Sequence, residues 1–369
     1  MDRRRLWTHA GVGLLGATLA VVLLSAPGVA HAAGLRNAGA STVTVPTWLF
    51  LTTGGGAVGA SFLLASFVTD RAFIRSFHQW RRQLPAPGRL IAGSIRLLGV
   101  SLLLLTIYIG LTGPSTGLRN FAVVFVWVGW WGGYVASTYL LGNTWPTLNP
   151  FRTIAELLPT LDRPYPERLG VWPSVVGLLG LIWIEVVTPL ADDPRLLAAM
   201  VVAYTVVTVT GAVVFGSAVW FSAVDPISRA FALFGQFAPF SRTADGITVR
   251  LPGMALTDTD LVSGRDEAAF VVCLLYVTTF DGFVATWLWE TFAVTLVGLG
   301  LPPLGVYLIA YLAGFGCFLA AFWWAMGLAR RHGSTYITRE ALASRFAPSL
   351  VAIAVGYHLA HNLAFVAGL

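Results

Sequence analysis

Near its C-terminus the chain reads VGYHLAHNLAF over residues 355–365, placing His358, His361 and Asn362 in an otherwise apolar run. On a helix His358 and His361 are i and i+3 and Asn362 is i+4 from the first, so the three share a face. Two further apolar stretches carry isolated acids, Glu185 in LGLIWIEVVTPL and Asp281 in YVTTFDGFVAT. Glu290 follows shortly in WLWETFAVTLVGLG. Neutral imidazoles with carboxylates have the donor set of a first-row cation site, zinc for example, in which bound water attacks an ester. The same groups suit a second chemistry, passing protons or binding a transported ion, because His titrates near neutrality and intramembrane acids commonly relay protons. Each residue also has a plainer use, in which a protonated acid, an imidazole or an amide simply joins neighbouring helices by hydrogen bonds. HxxH spacing alone is a weak metal signature.

These residues need helices that cross a bilayer. Of 369 residues, 56% are hydrophobic and 11% charged, against roughly 25% charged in soluble domains. Apolar stretches of about 20 residues recur along the chain and leave no room for a separate soluble domain. The expected fold is therefore all-α, a polytopic transmembrane bundle of about eight spans after an N-terminal signal segment. The spans are expected at 45–69, 92–112, 120–141, 171–190, 196–220, 268–286, 303–329 and 347–367. Residues 1–32 have a basic start at Arg3 to Arg5, a short apolar region and small residues at Ala30 and Ala32. That is the layout of a secretory signal peptide or of an uncleaved anchor. Residues 33–369 then form one multi-pass domain.

The net charge of +6 is carried by arginine, since there is no lysine. The arginines cluster in every second connection, around Arg71 to Arg89, Arg152 to Arg168, Arg229 to Arg265 and Arg330 to Arg345, whereas the intervening connections hold only Arg119 and Arg195. This positive-inside asymmetry points to a plasma-membrane protein with both mature termini outside. It also makes the lipid bilayer, and not nucleic acid, the expected partner; a homo-oligomer or a structural place in a larger membrane complex stays open. Cys273 and Cys317 fall in expected spans and form no CxxC pair, so they read as buried thiols.

Measured from the arginine-rich edge at ~1.5 Å per residue, Glu185, Asp281, His358 and His361 lie roughly 16 to 21 Å deep, in the outer half. Three separate helices thus deliver acids and imidazoles to a similar height, with Glu290 just above. The segment 287–300 is too short to cross and is bounded by Pro302 and Pro303; it reads as interfacial or re-entrant, with Trp287 and Trp289 suited to the interface. Two arginine-side connections repeat a pattern: TWPTLNPFRTIAELLP and VWFSAVDPISRAFALFGQFAP. Each has Asn149 or Asp225 before Pro150 or Pro226, as at a capped helix start. These are either connector helices or a gate, and Arg152 belongs to the first. The run 241–253, with Asp245 and Gly246, predicts a small hairpin.

Taken in order, GNTWPTLNPFRTI, PYPERLGVWPSVVGLLGLIWIEVV, APFSRTADG, TTFDGF and SLVAIAVGYHLAHN resemble the fenitrothion hydrolase-like polytopic bacterial membrane proteins, from about residue 120 onward. The resemblance implies hydrolysis of an organophosphate-type ester by a divalent metal and an activated water. It carries over Glu185 in LIWIEVV, Asp281 in TTFDGF and His361 in LAHN; His358 departs from the family pattern. On that implication His358, His361 and Asp281 ligate the metal and Glu185 is base or fourth ligand. No GxSxG motif supports a serine nucleophile.

Overall fold

The structure, a computed structural model, describes residues 47–367 except 68–70, 86–87, 244–245, 259, 285 and 334–335. The signal segment expected over residues 1–32 lies outside the described residues. Six helices are long and apolar enough to cross a membrane: Arg89–Thr112, Phe121–Leu140, Pro194–Phe215, Arg265–Val284, Pro303–His332 and Arg339–Asn362. The helix Thr47–Phe67 covers the first expected span. Trp172–Val187 covers the fourth with 16 residues, or about 24 Å at the helical rise.

In chain order we name the helices α1 (Thr47–Phe67), α2 (Arg71–Gln79), α3 (Arg89–Thr112), α4 (Phe121–Leu140), α5 (Trp145–Leu148), α6 (Pro150–Ala155), α7 (Trp172–Val187) and α8 (Pro194–Phe215). They continue as α9 (Pro226–Phe237), α10 (Arg265–Val284), α11 (Trp287–Gly298), α12 (Pro303–His332) and α13 (Arg339–Ala367). The central element is α10. Its spanning window is 59% buried, against 11% for α12, which mostly faces outward. It packs most extensively on α13, then on α7 and α12.

Two short antiparallel strands, β2 (Phe240–Thr243) and β3 (Gly246–Val249), form the hairpin expected at 241–253. A third strand, β1 (Arg82–Leu84), joins the far edge of β3, pairing Gln83 with Thr248. Three residues that begin on the second arginine of an Arg-Arg pair carry no strand periodicity, so β1 was not visible in the sequence. The sheet modifies an otherwise all-helical architecture at the arginine-rich end.

α4 is irregular. Phe125–Tyr134 is π-helical, ten residues long, although π stretches are normally single turns and mark functional places. A second π turn, Trp220–Val224, leads into α9. The short segment after α10 is a 12-residue helix, α11. Trp287 is 75% exposed, but Trp289 is 2% exposed, packed on Phe280, Phe283 and Tyr307. Cys273 is a buried free thiol and Cys317 an exposed one.

The start of α6 is brought into the bundle by a glycine. A Cβ at Gly99 of α3 would strike the Leu148 carbonyl oxygen, with the carbonyl carbon 3.0 Å away. Backbone cannot yield as a side-chain tip does, so Gly99→Ala is expected to destabilise by about 1–3 kcal/mol. Gly93→Ala, where a Cβ meets nothing, should be neutral or stabilising by about 0.5–1 kcal/mol. Melting temperatures of the two variants in detergent check the contrast; equal shifts would contradict the close approach.

Candidate functional site

The Asn-Pro and Asp-Pro starts found in the sequence meet in space. Pro150 fits the first turn of α6 because its missing N–H would have no intrahelical partner there. Asn149 before it accepts from the Arg152 backbone N–H at 3.0 Å. Asp225 does the same for α9, accepting from the Ser228 N–H at 3.1 Å. Ser228 then ties the starts together, because its Oγ accepts from the Asn149 amide at 3.2 Å and from Trp145 Nε1 at 3.1 Å. The Tyr204 hydroxyl of α8 donates to the other Asp225 oxygen. Asn149 and Asp225 are 1% and 2% exposed, so each polar atom here depends on protein partners. Burial pushes the Asp225 carboxyl above its ordinary range, partly opposed by the bonds from Ser228 and Tyr204.

Beside this knot is a cavity of about 270 Å³, whose walls include Asn149, Arg152, Ser228, Arg229 and Glu267. Arg229 pairs with Glu267 at 2.9 Å. Arg152 lies over the Phe221 ring with its Cζ 5.0 Å from the centroid.

From the knot α9 extends a stripe of side chains toward a second polar centre. Ser228, Phe231 and Phe234 recur at i+3, on one side of the helix. Phe231 packs on Trp145 (5.3 Å between centroids), Trp130 (5.5 Å) and Tyr134 (5.9 Å). Phe234 packs on Tyr139 (5.8 Å) and His358 (5.9 Å). His358 is 3% exposed. Its Nδ1 is 3.0 Å from the Tyr139 hydroxyl, and its ring meets Trp131 of the π stretch edge-on at 5.6 Å. Nε2 has no hydrogen-bond partner of good geometry among the described residues.

The other sequence-derived residues are arranged around this centre. α10 and α13 run side by side, since Arg265 pairs with Glu340 at 2.5 Å and a Cβ at Gly282 would strike the Tyr357 hydroxyl. Both contacts give one register, which sets residue 281 level with residue 356. Just before α7 the Val171 N–H donates to Asp266 at 2.7 Å, and on α7 the Val175 carbonyl faces Cys273 Sγ at 4.0 Å. Continuing along both helices sets Glu185 level with residues 280–283. The backbones at Glu185, Asp281 and the two histidines are thus at similar heights on neighbouring helices. Their side chains diverge: His358 is buried against α4 and α9, whereas His361 is exposed and stacks on Tyr357 at 6.0 Å. The shared helix face expected for the pair therefore spans a burial boundary. Asn362 is buried and donates to the His358 carbonyl at 2.9 Å, within its own helix. Glu185 is half-buried and Glu290 exposed; the Asp281 side chain lies outside what is described. Among the described residues no three His, Cys, Asp or Glu side chains are placed to hold a metal ion.

Tyr139, Tyr204, Trp145 and Ser228 were not singled out from sequence. The signal for Ser228 was its place three residues after Asp225, the position whose N–H an N-cap satisfies. Tyr139 and Tyr204 are single aromatics in apolar spans, indistinguishable there from packing residues.

A test follows from Asp225. The folded chain holds this proton to higher pH than the unfolded chain does, so its contribution to stability is complete below about pH 4 and declines as pH rises through the raised folded value. Asn caps a helix as well as Asp. Melting curves should therefore show Asp225→Asn gaining on the wild type as pH rises from about 4 towards neutrality; parallel pH profiles would contradict a raised carboxyl. In comparisons with known proteins, the chain matches no family model, no curated protein and no solved structure.

Proposed function

We propose that the protein is a proton-coupled carrier of a small solute or ion, working through the cavity and the His358 centre. The observation that supports this most is the pair of short capped helices on the arginine-rich side of the bundle whose starts are buried and meet at Ser228. Discontinuous short helices in corresponding positions of a chain are the usual builders of transport sites, because their interrupted backbone lines a cavity in place of lipid. His358 adds a buried imidazole, hydrogen-bonded to the Tyr139 hydroxyl, beside the π stretch of α4.

In this reading the bundle has eight spans, α1 and α7 completing the six. It sits in the plasma membrane after a signal segment, its arginine-rich end cytoplasmic by the positive-inside rule. Metal-dependent ester hydrolysis is the second reading. It is favoured by the resemblance to the fenitrothion hydrolase-like proteins and by the similar heights of Glu185, Asp281 and His361.

One preparation separates the two. In proteoliposomes with a trapped pH dye, proton entry with external inorganic phosphate or zinc should exceed that of protein-free vesicles, and His358→Ala should reduce it at least tenfold. Tyr139→Phe should reduce it less while destabilising the fold by about 1–3 kcal/mol, the cost of stranding a buried partner. Proton entry no faster than in empty vesicles would sink the carrier. Turnover of a phosphate triester by the same vesicles, lost with chelator and in His361→Ala, would establish the hydrolase instead.

A further inference from the structure

Arg152 stands out among the charged groups around the cavity. Each acid near it is already engaged. Glu156 pairs with Arg96 at 2.8 Å. Glu267 holds Arg229 at 2.9 Å and accepts from the Ser263 N–H at 2.7 Å and hydroxyl at 2.9 Å. Asp225 accepts from Tyr204 and Ser228. Arg152 has no ion pair among the described residues, and its Nε is shielded from solvent with no acceptor. The Phe221 ring supports one face of the guanidinium, which leaves the edge bearing its N–H groups for a ligand. Burial, ahead of every nearby charge, pushes this guanidinium down from its ordinary value. A guanidinium stays charged at physiological pH, so a half-buried one with an unpartnered Nε at a cavity wall favours an anion there.

The surrounding wall suits that ligand. Asn149 lines the same cavity and spends one of its two amide hydrogens on Ser228, leaving a second donor. Leu233 and Leu261 supply an apolar side. The volume of about 270 Å³ lies just below the range of roughly 300–1,000 Å³ that holds drug-sized ligands. It is sized for a small solute or a single headgroup.

We propose that this cavity binds a carboxylate or phosphate group, held by the Arg152 guanidinium as a bidentate partner and by the Asn149 amide. Planar five-donor geometry makes arginine the natural receptor for both groups. The inference names the solute class for the carrier reading and rests on that reading only for its physiological sense; binding is measurable without transport.

The test uses the full-length chain in a neutral detergent at constant ionic strength. Calorimetric titrations with acetate and with inorganic phosphate form one arm. A short-chain phosphatidylglycerol forms the other, distinguishing a free anion from a lipid headgroup. Saturable binding in either arm is expected, weakened at least tenfold by Arg152→Gln and unchanged by Arg81→Gln at the exposed sheet edge. Asn149→Asp is the second variant. It keeps a competent helix cap while setting a like charge in the wall, and should weaken binding at least as much. No saturable binding in both arms would overturn the proposal, as would wild-type affinity in Arg152→Gln or in Asn149→Asp. If binding behaves as expected and the vesicles show no proton entry, the carrier reading fails and the anion site stands.

Discussion

A helix that begins in the buried interior of a helical bundle exposes N–H groups that apolar side chains cannot satisfy, each at a cost of about 1–3 kcal/mol. This chain begins two such helices and meets the constraint twice with the same device, a short polar residue followed by proline. The two caps are then joined through one residue, Ser228, whose hydroxyl accepts from Asn149 and whose backbone N–H donates to Asp225. Around that join sit Trp145, Tyr204 and the cavity with Arg152, while α9 leads from it to His358. Gly99 lets the first start approach α3, and Gly177 of α7 meets Pro226 at the second, where an added Cβ would lie 3.1 Å from the proline ring. Close backbone approach and polar capping are therefore parts of one arrangement, because polar groups this deeply buried need partners at short range.

Six of the eight expected spans, as long apolar helices, and both helix starts were legible in the sequence because they rest on local signals. Length and hydropathy mark a crossing helix, and Asn149-Pro150 or Asp225-Pro226 marks a capped start. Other features depend on partners distant in sequence. The strand at Arg82–Leu84 exists because β3 offers it an edge. Trp289 is buried because Phe280 and Tyr307 surround it, although its pattern resembles that of the exposed Trp287. The π stretch in α4 has no local signature in FVWVGWWGGY.

The same limit applies to the histidines. Spacing puts His358 and His361 on one face, but a face is a range of angles, and the edge of the buried sector falls between them. His358 turns to the Tyr139 phenol and to two further aromatic rings, Trp131 and Phe234, His361 to Tyr357. Height was easier to read than direction. Glu185 and Asp281 come level with the imidazoles on adjacent helices, as rise per residue alone suggests, whereas side-chain direction depends on how each helix is rotated in the bundle.

The most direct measurement of whether the two helix starts act as one unit is a double-mutant cycle between Asn149→Ala and Ser228→Ala, read from unfolding free energies in a bilayer mimic. Residues in one hydrogen-bonded network couple by about 0.5–3 kcal/mol, so the double variant is expected to lose less than the sum of the single losses by that amount. Additivity within about 0.3–0.5 kcal/mol, the range for independent sites, would contradict the joined pair and remove the ground for reading the cavity beside it as a single built site.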